Sequence, residues 1–169
     1  MAVNIVKKSK KKETETSVLY TLGHSNRSIE EFVGLLKKYG IKTLVDVRSK
    51  PYSKYNPHFN RDIFAKSLAD NGVKYYWAGK FLGGFFDGGL DNKQFLQKIN
   101  KVLDLSREST TVMMCSEAQP EKCHRAYRLT RWIHANTIIT LNHIVTKGLF
   151  KSKEFEAKYK DFWDKDEYI

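Results

Sequence analysis

TVMMCSEAQPEKCHR, residues 111–125, decides how this chain folds. The apolar run Thr111–Met114 belongs to a strand read as Thr111–Cys115, and Ala126–Trp132 after it reads as a helix. Between them, Cys115 to Arg125 holds both cysteines, two carboxylates, an imidazole and a guanidinium within eleven residues. A strand that runs through a polar turn into a helix is the unit of an open α/β sheet. In such sheets ligands bind beyond the carboxyl ends of the strands, where loop amides and helix N-termini converge.

The same alternation extends to both sides. Val18–Leu22 reads as a strand stopped by Gly23. Ser28 and Glu31 form a capping box for a helix carrying Ile29, Phe32, Val33 and Leu36, which Gly40 ends. Leu44–Val47 is a second strand leading into Arg48, followed by a long loop from Ser49 to Phe59. Asn60 is placed to cap a helix with Ile63, Phe64 and Leu68 that stops at Asn71-Gly72, and Val73–Trp77 is a third strand. Gly79 to Gly89 has five glycines and reads as a loop without an element of its own. Asp91 and Gln94 suggest a second capping box, opening a helix through Phe95, Ile99, Val102 and Leu103. Thr137–Val145 is a further strand, and Lys151–Tyr168 an amphipathic helix with Phe155, Tyr159, Phe162 and Trp163. The expectation is an α/β single domain: a mainly parallel sheet of five or more strands flanked by helices, with Rossmann-like layering but no dinucleotide fingerprint.

Of the formal charge of +11, five lysines fall in Lys7–Lys12, leaving +6 on the rest. Residues 1–16 are expected to be a disordered basic tail and 17–169 the folded domain. The tail reads equally as a nucleic-acid arm, a solubilising segment or a cloning remnant. No run of 18 apolar residues occurs and Met1–Lys12 lacks a signal-peptide core, so a cytoplasmic chain without a membrane partner is expected. Two cysteines there read as reduced thiols, with a Cys115–Cys123 bridge left open.

If the strands are parallel, Gly23-His24-Ser25, Asp46-Val47-Arg48, Trp77-Ala78-Gly79 and Met114-Cys115-Ser116 share one edge. Cys115 then reads either as a small buried hydrophobe or as a thiolate nucleophile stabilised by His124, Arg48 or helix-end amides. Glu117 reads as a helix cap or arginine partner, or as a general acid or base. Pro120 suits the first turn of a helix, leaving Cys123, His124 and Arg125 near its N-terminus. His124 and Arg125 are the anion-binding candidates there, whereas Arg128 and Arg131 read as a solvated basic face. Zinc or another divalent metal has allowed ligands in Cys115, Glu117, Cys123 and His124, with His24 as a further donor, but the spacing matches no standard zinc motif and no cofactor is predicted. In the loop after Arg48, Tyr52, Tyr55, His58 and Phe59 interleave with Lys50 and Lys54, a pattern suited to bases and phosphates and equally to surface packing.

Several separated motifs resemble the DUF488 family of uncharacterised prokaryotic proteins. They are Thr21-Leu-Gly-His-Ser25 with Arg27, Leu44-Val-Asp-Val-Arg48 with Pro51 and Ser53, Phe59-Asn60, Leu82-Gly-Gly84, Cys115-Ser-Glu117 followed by Cys123-His-Arg125, and His143-Ile144. The resemblance covers roughly Tyr20 to Gly148 and implies an α/β domain, with no established reaction, substrate or cofactor. A weaker likeness to rhodanese domains, in the Asp-Val-Arg and the later cysteine, supports an anion site rather than sulfur transfer, because the Cys115–Arg125 segment is longer than their anion loop and carries Pro120 in place of glycines.

The expected function is hydrolysis or group transfer on a phosphate-bearing substrate, with a nucleotide or nucleic acid as partner. Ser25, Arg48, Tyr52, Lys54, Gly83, Gly84 and Arg125 would bind it; Glu117, His124, Cys115 and His24 would be catalytic. A non-catalytic nucleotide- or nucleic-acid-binding module and a thiol-based redox or sulfur-transfer protein are the alternatives.

Overall fold

A computed structural model describes the backbone of residues 17–163 and side chains as far as Asp161. The lysines at 7–12, the side chains of Phe162 and Trp163 and the expected helix beyond them lie outside the described residues.

Six strands form one sheet in the order β3-β2-β4-β1-β5-β6. They are β1 (Val18–Gly23), β2 (Thr43–Asp46), β3 (Lys74–Trp77), β4 (Thr111–Cys115), β5 (Thr140–Val145) and β6 (Gly148–Lys151). The first five run parallel, and β6 returns antiparallel beside β5. All four expected strand ends therefore lie on one edge. Gly23 is level with Cys115, and Asp46 with Met114 and Trp77.

Two layers of helices bury the sheet. Side chains alternate along a strand, so Leu44, Val112 and Met114 face one way while Val45, Met113 and Cys115 face the other. The first face packs on α1 (Ile29–Lys38) and α2 (Arg61–Asp70) through Phe32, Leu36, Phe64 and Leu68. Each such side chain contributes about 1.5–3 kcal/mol on burial. Phe59 joins them, its ring 5.3 Å from Phe32 and 5.2 Å from Phe64 in edge-to-face contacts. The second face packs on α4 (Lys93–Glu108) and α5 (Arg131–Asn136) through Phe95, Ile99, Val102 and Ile133. A further helix, α6 (Ser152–Trp163), follows β6.

Local details depart from the sequence expectations for definite reasons. The Ser28–Glu31 capping box forms in both directions. Asn60 occupies the N-cap of α2, yet its Oδ1 accepts from the Ser53 amide and closes the preceding loop instead. At α4 the cap is Asn92, not Asp91, and its Oδ1 accepts from the Gln94 and Phe95 amides. The glycine-rich segment begins with a helical turn, α3 (Gly79–Leu82). Pro120 opens only a 3-10 turn ending at Lys122, and Cys123 is extended, so the next helix starts afresh at His124. That helix begins as a π-helical segment, Arg125–Thr130, which is wider than an α-helix, so residues at the i, i+4, i+7 spacing of His124, Arg128 and Arg131 do not share one face as they would in an α-helix.

Candidate functional site

The floor of the strand edge is a buried ion pair. Asp46, fully buried at the end of β2, accepts from the Arg48 amide at 3.0 Å, Nε at 2.9 Å and an Nη at 2.6 Å, and from the Tyr75 hydroxyl at 2.7 Å. Burial opposes charge on Arg48, but the Asp46 hydrogen bonds outweigh it and its pKa is raised. Tyr75 is pushed well up by burial and then by the Asp46 carboxylate, so it remains a donor. The same Arg48 Nη2 also donates to the Phe59 carbonyl at 2.9 Å, tying the long loop to the floor.

His24 lies against this pair. Its Nδ1 is 2.7 Å from the Ser25 carbonyl, which only accepts, so Nδ1 carries the proton. Nε2 is therefore the bare nitrogen, facing an Arg48 Nη at 3.3 Å. The ring stacks on Phe59 at 4.2 Å, joining the site to the aromatic core. Burial first, with the Arg48 charge adding to it, lowers its pKa to about 4. Ser25, next along, has φ 53°, in the left-handed region that only Gly, Asn and Asp enter readily. The turn is held by two bonds that prolong the β1–β4 ladder: His24 N–H to the Cys115 carbonyl at 2.8 Å and Ser25 N–H to the Ser116 carbonyl at 2.9 Å.

Above the floor opens a cavity of about 380 Å³. Arg48 and Lys50 supply positive charge to its lining, Ser25, Ser53 and Ser116 hydroxyls, and Tyr52 an exposed aromatic ring. Asn26, Asn56 and His24 complete it, and no carboxylate takes part.

The remaining reactive groups collect elsewhere. Because Cys115 faces the α4 side of the sheet, it meets Cys123 and His124 behind the cavity wall. His124 Nδ1 is 3.7 Å from Cys123 Sγ and 4.0 Å from Cys115 Sγ. The neighbouring thiols act on each other in opposite directions: the pKa of Cys123 is lowered by Cys115, aided by the nearby Arg125, and that of Cys115 is raised by Cys123 together with burial. A buried, protonated Cys115 matches the small-hydrophobe reading better than the nucleophile.

Arg125 is fully buried and donates to the Glu117 and Ala118 carbonyls and to Thr21 Oγ1. It clamps the turn after β4 from behind and does not line the cavity. Arg128, read from sequence as solvated, is half-buried and donates to the Phe86 and Gly88 carbonyls at 2.7 and 2.6 Å, fastening the glycine-rich loop. Glu117 turns its carboxylate to the Gln119 amide at 2.9 Å. Gly83 packs on Ser49 and Gly84 on the His124 ring, both outside the cavity, as is the exposed Lys54. Of the expected site residues, the fold thus gathers His24, Ser25, Arg48 and Tyr52 in one place and Cys115 and His124 in another.

Sequence reasoning missed Asn26 and Asn56 as lining residues, and it marked Lys50 and Ser116 only within the loop pattern and the strand-end motif. It also missed a Ser152–His134–Glu156 line, with His134 Nε2 2.7 Å from Ser152 Oγ and Nδ1 2.6 Å from Glu156. That hydroxyl is buried and donates to the Leu141 carbonyl, so the line braces α6 against α5 and β5 rather than presenting a nucleophile.

The buried imidazoles make stability depend on acid. His143, whose Nδ1 is 2.7 Å from Thr21 Oγ1, has its pKa lowered to about 3 chiefly by burial, and His24 to about 4. Unfolded histidine takes up a proton below about pH 6.5. Between there and pH 4 the unfolded chain therefore binds protons that the folded one does not, and stability falls with pH. Roughly 3 kcal/mol should be lost through His24 alone across that window. Urea midpoints measured from pH 7 to pH 4 are expected to decline, with a shallower decline for His24→Asn; a flat profile in the parent chain would contradict neutral histidines.

A family model described as "Domain of unknown function DUF488" matches residues 28–88 and 85–132. No curated protein and no solved structure matches the chain.

Proposed function

We propose, from the premise that this chain belongs to the DUF488 family, that its strand-edge cavity recognises a phosphate-bearing ligand, with a nucleotide or a nucleic-acid end as the ligand class. The observation that carries this is the lining: Arg48 and Lys50 with three serine hydroxyls and no carboxylate. Guanidinium, ammonium and hydroxyl donors complement phosphate oxygens, and an aspartate or glutamate among them would repel one. Arg48 is already oriented by Asp46, so little side-chain entropy is lost when it meets an anion. Tyr52 at the rim offers the face on which a base stacks.

A second reading, that the protein turns this ligand over by hydrolysis or group transfer, is favoured by His24. It sits in the cavity lining with Nδ1 protonated and Nε2 unprotonated, as a proton acceptor must be. In this reading His24 takes a proton from the attacking water or hydroxyl and Arg48 stabilises the charge that develops.

Calorimetric titration of the full chain with inorganic phosphate, a nucleoside monophosphate and a short single-stranded DNA tests both. Lys50→Gln is expected to weaken binding of all three about tenfold, equivalent to about 1.4 kcal/mol. Tyr52→Ala should weaken the two base-bearing ligands and leave phosphate unchanged. Binding that ignores Lys50→Gln, or no binding at millimolar ligand, would remove the cavity from consideration. Turnover lost in His24→Gln with binding retained selects the enzyme; binding with no turnover selects the module.

A further inference from the structure

Behind the cavity, two sulfurs and one imidazole nitrogen lie within 4.8 Å of one another, the atoms being Sγ of Cys115, Sγ of Cys123 and Nδ1 of His124. We propose that these three side chains form a binding site for a zinc ion, distinct from the anion cavity and independent of it.

The spacing approaches that of a tetrahedral zinc site. Zinc–sulfur bonds of about 2.3 Å and zinc–nitrogen bonds of about 2.0 Å place neighbouring sulfur and nitrogen vertices about 3.5–3.6 Å apart. The observed nitrogen-to-sulfur separations of 3.7 and 4.0 Å need a few tenths of an ångström of closure, and the two sulfurs, within 4.8 Å of one another, must come to about 3.8 Å to seat an ion. Two thiolates and an imidazole are donors that suit zinc over the harder magnesium or calcium.

Two further observations point to a missing ligand. His124 is buried, its Nε2 has no hydrogen-bond partner, and its Nδ1 has only the two long contacts to sulfur. Both Nδ1 contacts are long and weak, and an ion on Nδ1 would replace them with a coordinate bond, while Nε2 keeps its own need for a partner. The second is Gly84: a Cβ there would stand 3.3 Å from His124 Nδ1, so the bare glycine keeps open the space beside the ligating nitrogen. This gives the Leu82-Gly83-Gly84 motif a role that substrate contact does not.

The segment geometry explains why sequence alone conceals the site. Cys123 is extended and His124 is the first helical residue, so two consecutive side chains converge from a bend in the backbone. Cys115 approaches from the end of β4. Zinc would enter as the hydrated ion, both thiols would release their protons to solvent, and the resulting neutral set would sit beside the Arg125 cation. Three protein ligands leave one vertex for water. Ser116 Oγ, 4.0 Å from Cys115 Sγ, lies between that cluster and the cavity.

Cobalt(II) added to the reduced, metal-free full chain reads the site directly. One equivalent should produce thiolate-to-cobalt charge-transfer absorption with the intense visible bands of a four-coordinate ion, and one equivalent of zinc should erase both. Cys123→Ser and His124→Ala should each weaken zinc binding more than about 100-fold, since even an outer-shell partner of a ligand is worth about 10–100-fold. Circular dichroism establishes that each variant is folded. Should a variant fail to fold, the parent chain still decides, because bound zinc must slow reaction of both cysteines with a thiol reagent at least tenfold. No charge-transfer band at stoichiometric cobalt, or thiols equally reactive with and without zinc, overturns the site. Neither result bears on phosphate binding by Lys50 and Arg48.

Discussion

Gly23→Ala is expected to destabilise the chain by on the order of 4 kcal/mol and to abolish anion binding with it. The reason is space. A Cβ on Gly23 would stand 1.8 Å from the Glu117 carbonyl oxygen, 2.5 Å from its carbon and 2.9 Å from Ala118 Cα. These are backbone atoms, and they have no freedom to withdraw, because Arg125 holds both the Glu117 and Ala118 carbonyls from the other side. Relief requires β1 and the turn after β4 to separate, which breaks the His24 and Ser25 amide bonds to the Cys115 and Ser116 carbonyls. Those bonds position His24, Ser25 and Ser116 in the cavity, so stability and binding should fail together. Gly34, on α1 with nothing within 4 Å of its would-be Cβ, provides the control. Gly34→Ala is expected to be stabilising by roughly 0.5–1 kcal/mol. Urea unfolding of the two variants against the parent measures the contrast, and a Gly23→Ala protein as stable as the parent would show that the turn can move.

Arg48→Met is expected to lower stability by about 3–5 kcal/mol, the range found when one member of a buried pair is removed. The loss would come less from the missing attraction than from what is left behind. Asp46 would keep its charge at full burial with only the Arg48 amide and the Tyr75 hydroxyl as donors. The Phe59 carbonyl would also lose its partner, releasing the loop that carries Tyr52, Ser53 and Asn56. Adding Asp46→Leu to Arg48→Met should restore part of the stability, because no charge then remains unpaired. Phosphate binding should not return in the double variant. If the double variant is less stable than the sum of the single ones, the pair is not the organising element of this edge.

The fold was legible where burial and period agree. β4 matches its expected bounds because Thr111–Cys115 is buried along its whole length, and Ser28–Glu31 forms the capping box it spells. β6 was not foreseen, since Gly148–Lys151 is a four-residue edge strand with alternating exposure and no apolar run. Asn60 takes the expected N-cap position but bonds elsewhere, and at α4 Asn92 caps in place of Asp91, for one reason: an Asn or Asp beside a helix start has several amides in reach, and tertiary geometry chooses among them.

The site was half legible. Placing His24, Arg48 and Cys115 on one edge required only parallel strands. Dividing them required parity along β4, where Met113 and Cys115 face α4 while Val112 and Met114 face α1 and α2. That signal was present in the sequence as simple alternation. The roles of Arg125 and Arg128 were not, because a π-helical turn changes which residues share a face and no local pattern announces it.

The π-helical segment Arg125–Thr130 has its first residue fastened to the turn at 117–118 and its fourth to the glycine-rich loop at 86–88. Its two guanidinium groups grip carbonyls in separate loops, so neither loop is an independent hinge. They form a yoke, in which a local opening that frees one loop loosens the support of the other. Mobility at this end of the molecule is therefore cooperative, with one short helical turn as its pivot.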